Sequence, residues 1–272
     1  MKKYFILFCL TLLLIPTICF STDDNPRFTL LAAGQSNIDG RCAYALRPDY
    51  LQEASIPYCY INRNSKDGKF TAFTLENRWA FDAVVYHHLS QALQDSFYVI
   101  KWSQGNTSID AKGANNRHWT PHFNTLDSME QSLLMDFTEA IQACQNNKAA
   151  NLDIKAFIWH QGEGDRNVSE RYYNNLKDLI HYVRTLVGKP ELPFITGTFS
   201  HKSGQYRPTV EAALLKLASE DPNMYVVDLS KAELMDRYHF NAEWSEYFGE
   251  KVFNLLIESG ALEADPIPTQ IP

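Results

Sequence analysis

Apolar residues along this chain fall into two alternating rhythms. Compact apolar runs occupy Phe28–Ala33, Tyr98–Trp102, Ile154–Trp159, Phe194–Phe199 and Met224–Leu229. Runs apolar on both faces suit strands of a parallel sheet covered by helices on each side. Between them, Trp79–Leu93, Leu126–Cys144, Ser169–Val187 and Thr209–Ser219 place apolar residues at spacings of three and four, and a last such stretch covers Ala242–Ile257. That is the periodicity of amphipathic helices. The alternation predicts an α/β fold: a three-layer α/β/α sandwich around a mostly parallel, flavodoxin-like sheet with right-handed crossovers.

Two segments break the rhythm. Arg41–Arg78 carries Pro48, Pro57 and Gly68 among mixed polar and aromatic residues and reads as an extended excursion near the site. Asp110–Phe123, with Asn115, Asn116, His118, Trp119 and His122, reads as a second long loop. Long loops in compact domains are more often functional than accidental.

The first residues follow another logic. Lys2 and Lys3 precede an apolar run from Tyr4 to Pro16 and then Thr17-Ile18-Cys19-Phe20-Ser21. This is the pattern of a cleaved export signal over residues 1–21, with one mature domain over 22–272. The run is shorter than the roughly 20 residues needed to span a bilayer. No stable membrane insertion is expected once the signal is removed. Pro16, Thr17 and Ile18 lack the small residue that lipoprotein processing at Cys19 prefers. The expected destination is the periplasm or the exterior. Three cysteines then remain, and two arrangements stay open: a Cys42–Cys59 pair with Cys144 free, or three buried thiols. No C-x-x-C or H-E-x-x-H spacing occurs, so neither a metal nor another cofactor is expected. The formal charge is −7 without a basic stripe, which argues against nucleic acid as a partner.

In an open parallel sheet, chemistry gathers at the carboxyl ends of strands, and four motifs fall there. Gly34-Gln35-Ser36-Asn37 follows the first run. A serine at such a turn can expose its hydroxyl beside helix N–H groups, or it can simply cap the helix. Ser103-Gln104-Gly105-Asn106-Thr107-Ser108 follows the second run, where a glycine lets a substrate oxygen approach the backbone. Trp159-His160-Gln161-Gly162-Glu163-Gly164-Asp165 closes the third, with a carboxamide able to donate to an oxyanion and carboxylates able to accept. Asp236-Arg237-Tyr238-His239 comes soon after the last run. A serine hydroxyl needs a base near neutrality. A carboxylate three residues before a histidine can orient its ring within one local turn.

These blocks, in this order, resemble those of the SGNH hydrolases. Within them the chain looks closest to the branch of sialate O-acetylesterases and the sixth carbohydrate-esterase family of acetylxylan esterases. The resemblance runs from about Phe28 to Ile257, and the Gly-Gln-Ser-Asn and His-Gln-Gly-Glu blocks are its specific part. It implies a carbohydrate O-acetylesterase with Ser36 as nucleophile and His239 as general base and acid. Asp236 would orient His239, and Glu163 would support activity, the division between these two carboxylates being open. Gln35, Gly105, Asn106 and Gln161 would form the oxyanion and substrate-binding side, with the N–H of Ser36 contributing. Family members often carry two adjacent glycines where this chain has Gly105-Asn106, so the donor is either of those N–H groups. The implied partner is an acetylated carbohydrate, xylan or sialic acid. Two alternatives are a general short-chain esterase, which loops rich in Asn, Gln, Trp and Tyr disfavour, and a binding protein that has kept the fold without catalysis. A nucleotide binder would need a Gly-rich phosphate loop after the first run, and there is none.

Overall fold

The structure is a computed structural model that describes residues 25–51, 55–113, 117–122 and 132–272. The expected export signal therefore lies outside the described residues, as do Asn115, Asn116 and Phe123. Among the described residues, no helix is long and apolar enough to cross a membrane.

The five apolar runs all become strands: β1 (Arg27–Gly34), β6 (Phe97–Ser103), β7 (Leu152–His160), β8 (Phe194–Gly197) and β9 (Met224–Val227). They lie side by side in the order β6-β1-β7-β8-β9, with parallel pairing throughout. Numbered in chain order, this is the flavodoxin-like arrangement. The excursion expected over Arg41–Arg78 needs correction, because it contributes two more strands to the same sheet. β3 (Ser55–Arg63) pairs parallel to β6, and β4 (Thr71–Thr74) pairs antiparallel to β3 at the edge. The same segment holds β2 (Cys42–Ala43) and β5 (Arg78–Trp79), a small antiparallel pair.

The faces of β1 divide the core. Leu30 and Ala32 join the side packed by α2 (Phe81–Leu93) and α6 (Ala242–Glu258). Leu31 and Ala33 join the side packed by α3 (Leu133–Asn146), α4 (Tyr172–Leu186) and α5 (Pro208–Glu220). All four β1 side chains are fully buried, which is why the run lacks polar alternation. Helix starts follow local chemistry. Ser132 and Asn241 accept the N–H of Met135 and Trp244, and Pro208 occupies the first turn of α5. The stretch 126–131, expected to begin α3, falls among residues not described.

Of the two cysteine arrangements, the second holds: Cys42, Cys59 and Cys144 are free and buried. Cys42 Sγ lies 3.2 Å from Ser245 Oγ, in the core beneath α6.

Candidate active site

Strand order reverses around β1: the chain leaves it for β3, β4 and β6 on one side, then crosses from β6 to β7 on the other. The crevice outside such a point is where open α/β sheets bind ligands. Gly34 closes β1 there at φ 142°, and a Cβ on it would sit 2.2 Å from the His160 carbonyl oxygen. Only glycine permits that approach. The N–H of Gln35 donates to His160 O at 2.9 Å, and the N–H of Gln104 donates to Gly34 O at 3.2 Å. The loops after β1, β6 and β7 are thus tied at one spot.

Ser36 opens the short helical turn α1 (Ser36–Asp39). Of its two readings, the cap is set aside: the capping position belongs to Gln35, with no side-chain cap bond. Ser36 as a residue is 9% exposed, and it lines a cleft of about 560 Å³. Gln35, Gly105, Asn106 and His239 line the same cleft, as do Arg41, Arg166, Gln205 and Tyr238. A Cβ on Gly105 would lie 3.6 Å from Ser36 Cβ, which places the post-β6 backbone beside the serine. Asn106 stands at φ 58°, in the left-handed region. Glycine enters that region freely and asparagine readily, so the departure from two glycines keeps the backbone path.

His239 and Asp236 form the expected pair. Nδ1 lies 2.7 Å from Asp236 Oδ2, while Asp236 Oδ1 accepts the N–H groups of Tyr238 at 2.7 Å and His239 at 2.9 Å. Partial burial pushes the Asp236 carboxyl up, but these three donors together hold it below the ordinary range. With Nδ1 bonded to the carboxylate, Nε2 is the ring nitrogen left for a proton from substrate or serine. Among the described residues no hydrogen bond joins Ser36 to His239. Such contacts are often long before substrate arrives.

Glu163 takes a different place. Its carboxylate is buried and accepts from Gln35 Nε2 and, at 3.3 Å, from Asn37 Nδ2. Asn37 Oδ1 in turn accepts the N–H of Phe240 at 3.2 Å. Glu163 is therefore hydrogen-bonded to the base loop through Asn37, whose role the sequence reading leaves unassigned.

Gln161 departs from its expected position. It is fully buried behind the cleft, and its Nε2 donates to Thr107 O at 3.0 Å and Asp165 Oδ2 at 2.7 Å. Both amide hydrogens are spent there, so none is directed at an oxyanion. Lys101 is another residue that the sequence reading missed, counted only as part of an apolar run. It is 2% exposed, and its Nζ donates to Ile38 O at 2.7 Å and Asp82 Oδ2 at 2.5 Å, fastening α1 from below.

The cleft rim carries two arginines beside the carboxylates of Asp39, Asp236 and Glu163. Arg41 donates to Asp39 Oδ2 at 2.7 Å, and Arg166 donates to the Glu163 carbonyl at 3.2 Å. Two guanidinium groups thus border a site in a protein of net charge −7.

The family model described as "Carbohydrate esterase, sialic acid-specific acetylesterase" matches residues 28–258. No curated protein matches the sequence. Among solved structures, a protein of Arabidopsis thaliana is 20% identical with a TM-score of 0.68, covering 86% of this chain and 99% of that one. A carbohydrate acetylesterase from Xanthomonas citri is 15% identical with a TM-score of 0.64, covering 85% of this chain and 56% of that one. NanS is 12% identical with a TM-score of 0.64, covering 85% and 97%. At these identities the three likenesses speak for the fold alone.

Proposed function

The chain belongs to the sialic acid-specific acetylesterase family of carbohydrate esterases, and on that premise, as a carbohydrate O-acetylesterase, we propose that it works through an acetyl-Ser36 intermediate. Ser36 Oγ attacks the acetyl carbonyl carbon as His239 Nε2 takes the hydroxyl proton. The oxyanion is met by the Ser36 N–H and by the backbone N–H of Gly105 or Asn106. Collapse breaks the ester bond, and the sugar oxygen leaves with the proton from His239. Water then attacks the acetyl-enzyme with His239 as base, and acetate departs as Ser36 regains its proton. Asp236 holds the ring and steadies its charged form. Glu163 acts one step back, by fixing Gln35 and Asn37.

One observation carries this reading: Ser36, which is not the helix cap, and His239, bonded to a carboxylate, line one cleft with Gly105. Arg41 and Arg166 on the rim favour a sugar bearing a carboxylate, as sialic acid does, over neutral xylan. The charged start and apolar run of the first 21 residues support export to the periplasm or beyond.

The test compares acetate release from acetylated sialic acid, acetylated xylan and a chromogenic acetate, for wild type and Ser36→Ala. The variant should lose about 10⁴-fold or more in kcat/KM, with its melting temperature kept, and a serine-directed phosphonate should label wild type at Ser36. Retained activity in the variant would overturn Ser36 as nucleophile. Equal rates on xylan and sialic acid would remove the role given to the arginines.

A further inference from the structure

Behind the cleft, the residues after β7 grip the loop after β6 at several points. Asp165 is fully buried. Its Oδ2 accepts the N–H of Ile109 at 2.8 Å, and its Oδ1 accepts the N–H of Asp110 at 2.9 Å. Gln161 Nε2 bridges the two, donating to Asp165 Oδ2 at 2.7 Å and to Thr107 O at 3.0 Å. Gly164 completes the contact: a Cβ there would lie 2.0 Å from Thr107 O. The held stretch, Thr107 to Asp110, begins one residue after Asn106 and two after Gly105. Only Asn106, at φ 58°, separates the grip from the Gly105 backbone.

We propose that Asp165 and Gln161 are positioning residues that set the Gly105–Asn106 backbone for the oxyanion, acting on the rate without touching substrate. The inference rests on the reading of the site given above. It also explains why Gln161 belongs to the site's motif yet does not reach the cleft.

The choice of a carboxylate follows from its acceptors. Three N–H donors converge on Asp165, and two oxygens with about four lone-pair positions can take them all. An asparagine would turn an NH2 group toward one donor. Burial raises the Asp165 pKa to about 6 against the pull of its donors, with Asp110 adding to the rise. Tyr172 from α4 also faces Asp165, while the nearby cation Arg171 pairs with Asp110, at 3.2 Å. Among the described residues no ion pair includes Asp165 itself.

Acidification therefore has two opposite consequences. A proton on Asp165 removes the charge that strengthens all three bonds and leaves one oxygen a poorer acceptor, so the loop loosens and the rate falls. For stability the sign is reversed. A carboxyl whose folded pKa lies above its ordinary 3.8 binds its proton more tightly when folded, so its contribution is greatest in acid and declines between pH 3.8 and about 6. A merely structural Asp165 would move stability alone.

The experiment measures kcat and KM for a chromogenic acetate from pH 5 to 8 in wild type and Asp165→Asn. The expected result is a kcat loss of about 10- to 100-fold at pH 7.5, KM within about twofold, and an acid limb stripped of the component near pH 6. A kcat within twofold of wild type, or an acid limb of unchanged shape, overturns the proposal. Should the variant fold poorly, hydrogen exchange of the wild-type segment 105–110 decides instead. Intrinsic-rate-corrected protection of Ile109 and Asp110 should fall from pH 7 to pH 5, and unchanged protection overturns the clamp. If Ser36→Ala is inert while Asp165→Asn is fully active, the clamp fails and the site reading stands. If Ser36→Ala stays active, the site reading itself fails.

Discussion

The two sides of the cleft are held by different means. Ser36 rides on the end of β1, at the centre of the sheet, and its turn is fastened from beneath by buried Lys101 and from the side by Glu163 through Gln35 and Asn37. His239 sits on a surface loop, and its partner Asp236 is three residues away with a side chain 49% exposed. The base loop reaches the nucleophile's turn through the Phe240 N–H on Asn37. The core places the nucleophile, whereas a local turn places the base. Rate and stability should therefore part company on the base side and move together on the nucleophile side.

The sharpest way to break this comparison is a cycle on the two carboxylates. Asp236→Asn keeps the shape but removes the charge that orients His239, and kcat should fall by about 10²- to 10⁴-fold, with the denaturation midpoint little changed. Glu163→Gln should lose less activity and more stability, because it leaves Gln35 and Asn37 facing a group that donates as well as accepts. The double variant should lose less than the product of the two single losses, since both act on one barrier. Kinetics and urea midpoints on the three variants check this. Full activity in Asp236→Asn would move the orienting role away from Asp236.

Next in size is the support beneath the nucleophile. Lys101→Met removes one partner of a buried ion pair and leaves the Asp82 carboxylate facing the Tyr86 hydroxyl of its own helix, a neutral donor at 2.9 Å. Breaking such a pair costs about 3–5 kcal/mol, which urea unfolding would read directly. Activity of the folded fraction should fall too, because Ile38 O loses its clamp. A second change, Asp82→Leu, should recover much of the stability but not the rate, as the carbonyl of Ile38 stays unanchored. Recovery of both would mean that the pair serves the core alone.

This division also explains what the sequence disclosed. The five central strands were legible because burial on both faces leaves runs such as Leu30–Ala33 without polar interruption. Asp236-x-x-His239 was legible because its geometry is contained in four residues. β3 escaped because Pro57 and Tyr58, the latter at φ 63°, interrupt it, and its outer residues alternate irregularly between core and solvent. Lys101 escaped because a lysine inside an apolar run carries no mark of the aspartate 19 residues earlier that receives it. Gln161 and Asn37 were noticed as motif members, but the partners Thr107 and Phe240 that give them their places lie 54 and 203 residues away, where only the folded sheet brings them together. Spacing in sequence reports a local turn faithfully and says nothing of which loop will lie behind it.

The smallest expected effect concerns acid and the base side. The donors around Asp236 hold its folded pKa below the ordinary 3.8. A depressed carboxyl contributes stability above its unfolded pKa and loses that contribution as pH falls through the folded value. The window therefore lies below about pH 4, well under that of Asp165, and the two carboxyls act with opposite signs. The Asp236 contribution is small because half of its side chain faces solvent, where water and salt screen the pair. Urea midpoints of wild type and Asp236→Asn, taken from pH 3 to 7, should differ slightly and constantly above pH 5 and converge below pH 4. A large gap at neutral pH would mean that the base loop is anchored through Asp236 to the rest of the fold, and the contrast between a core-placed nucleophile and a locally placed base would fail.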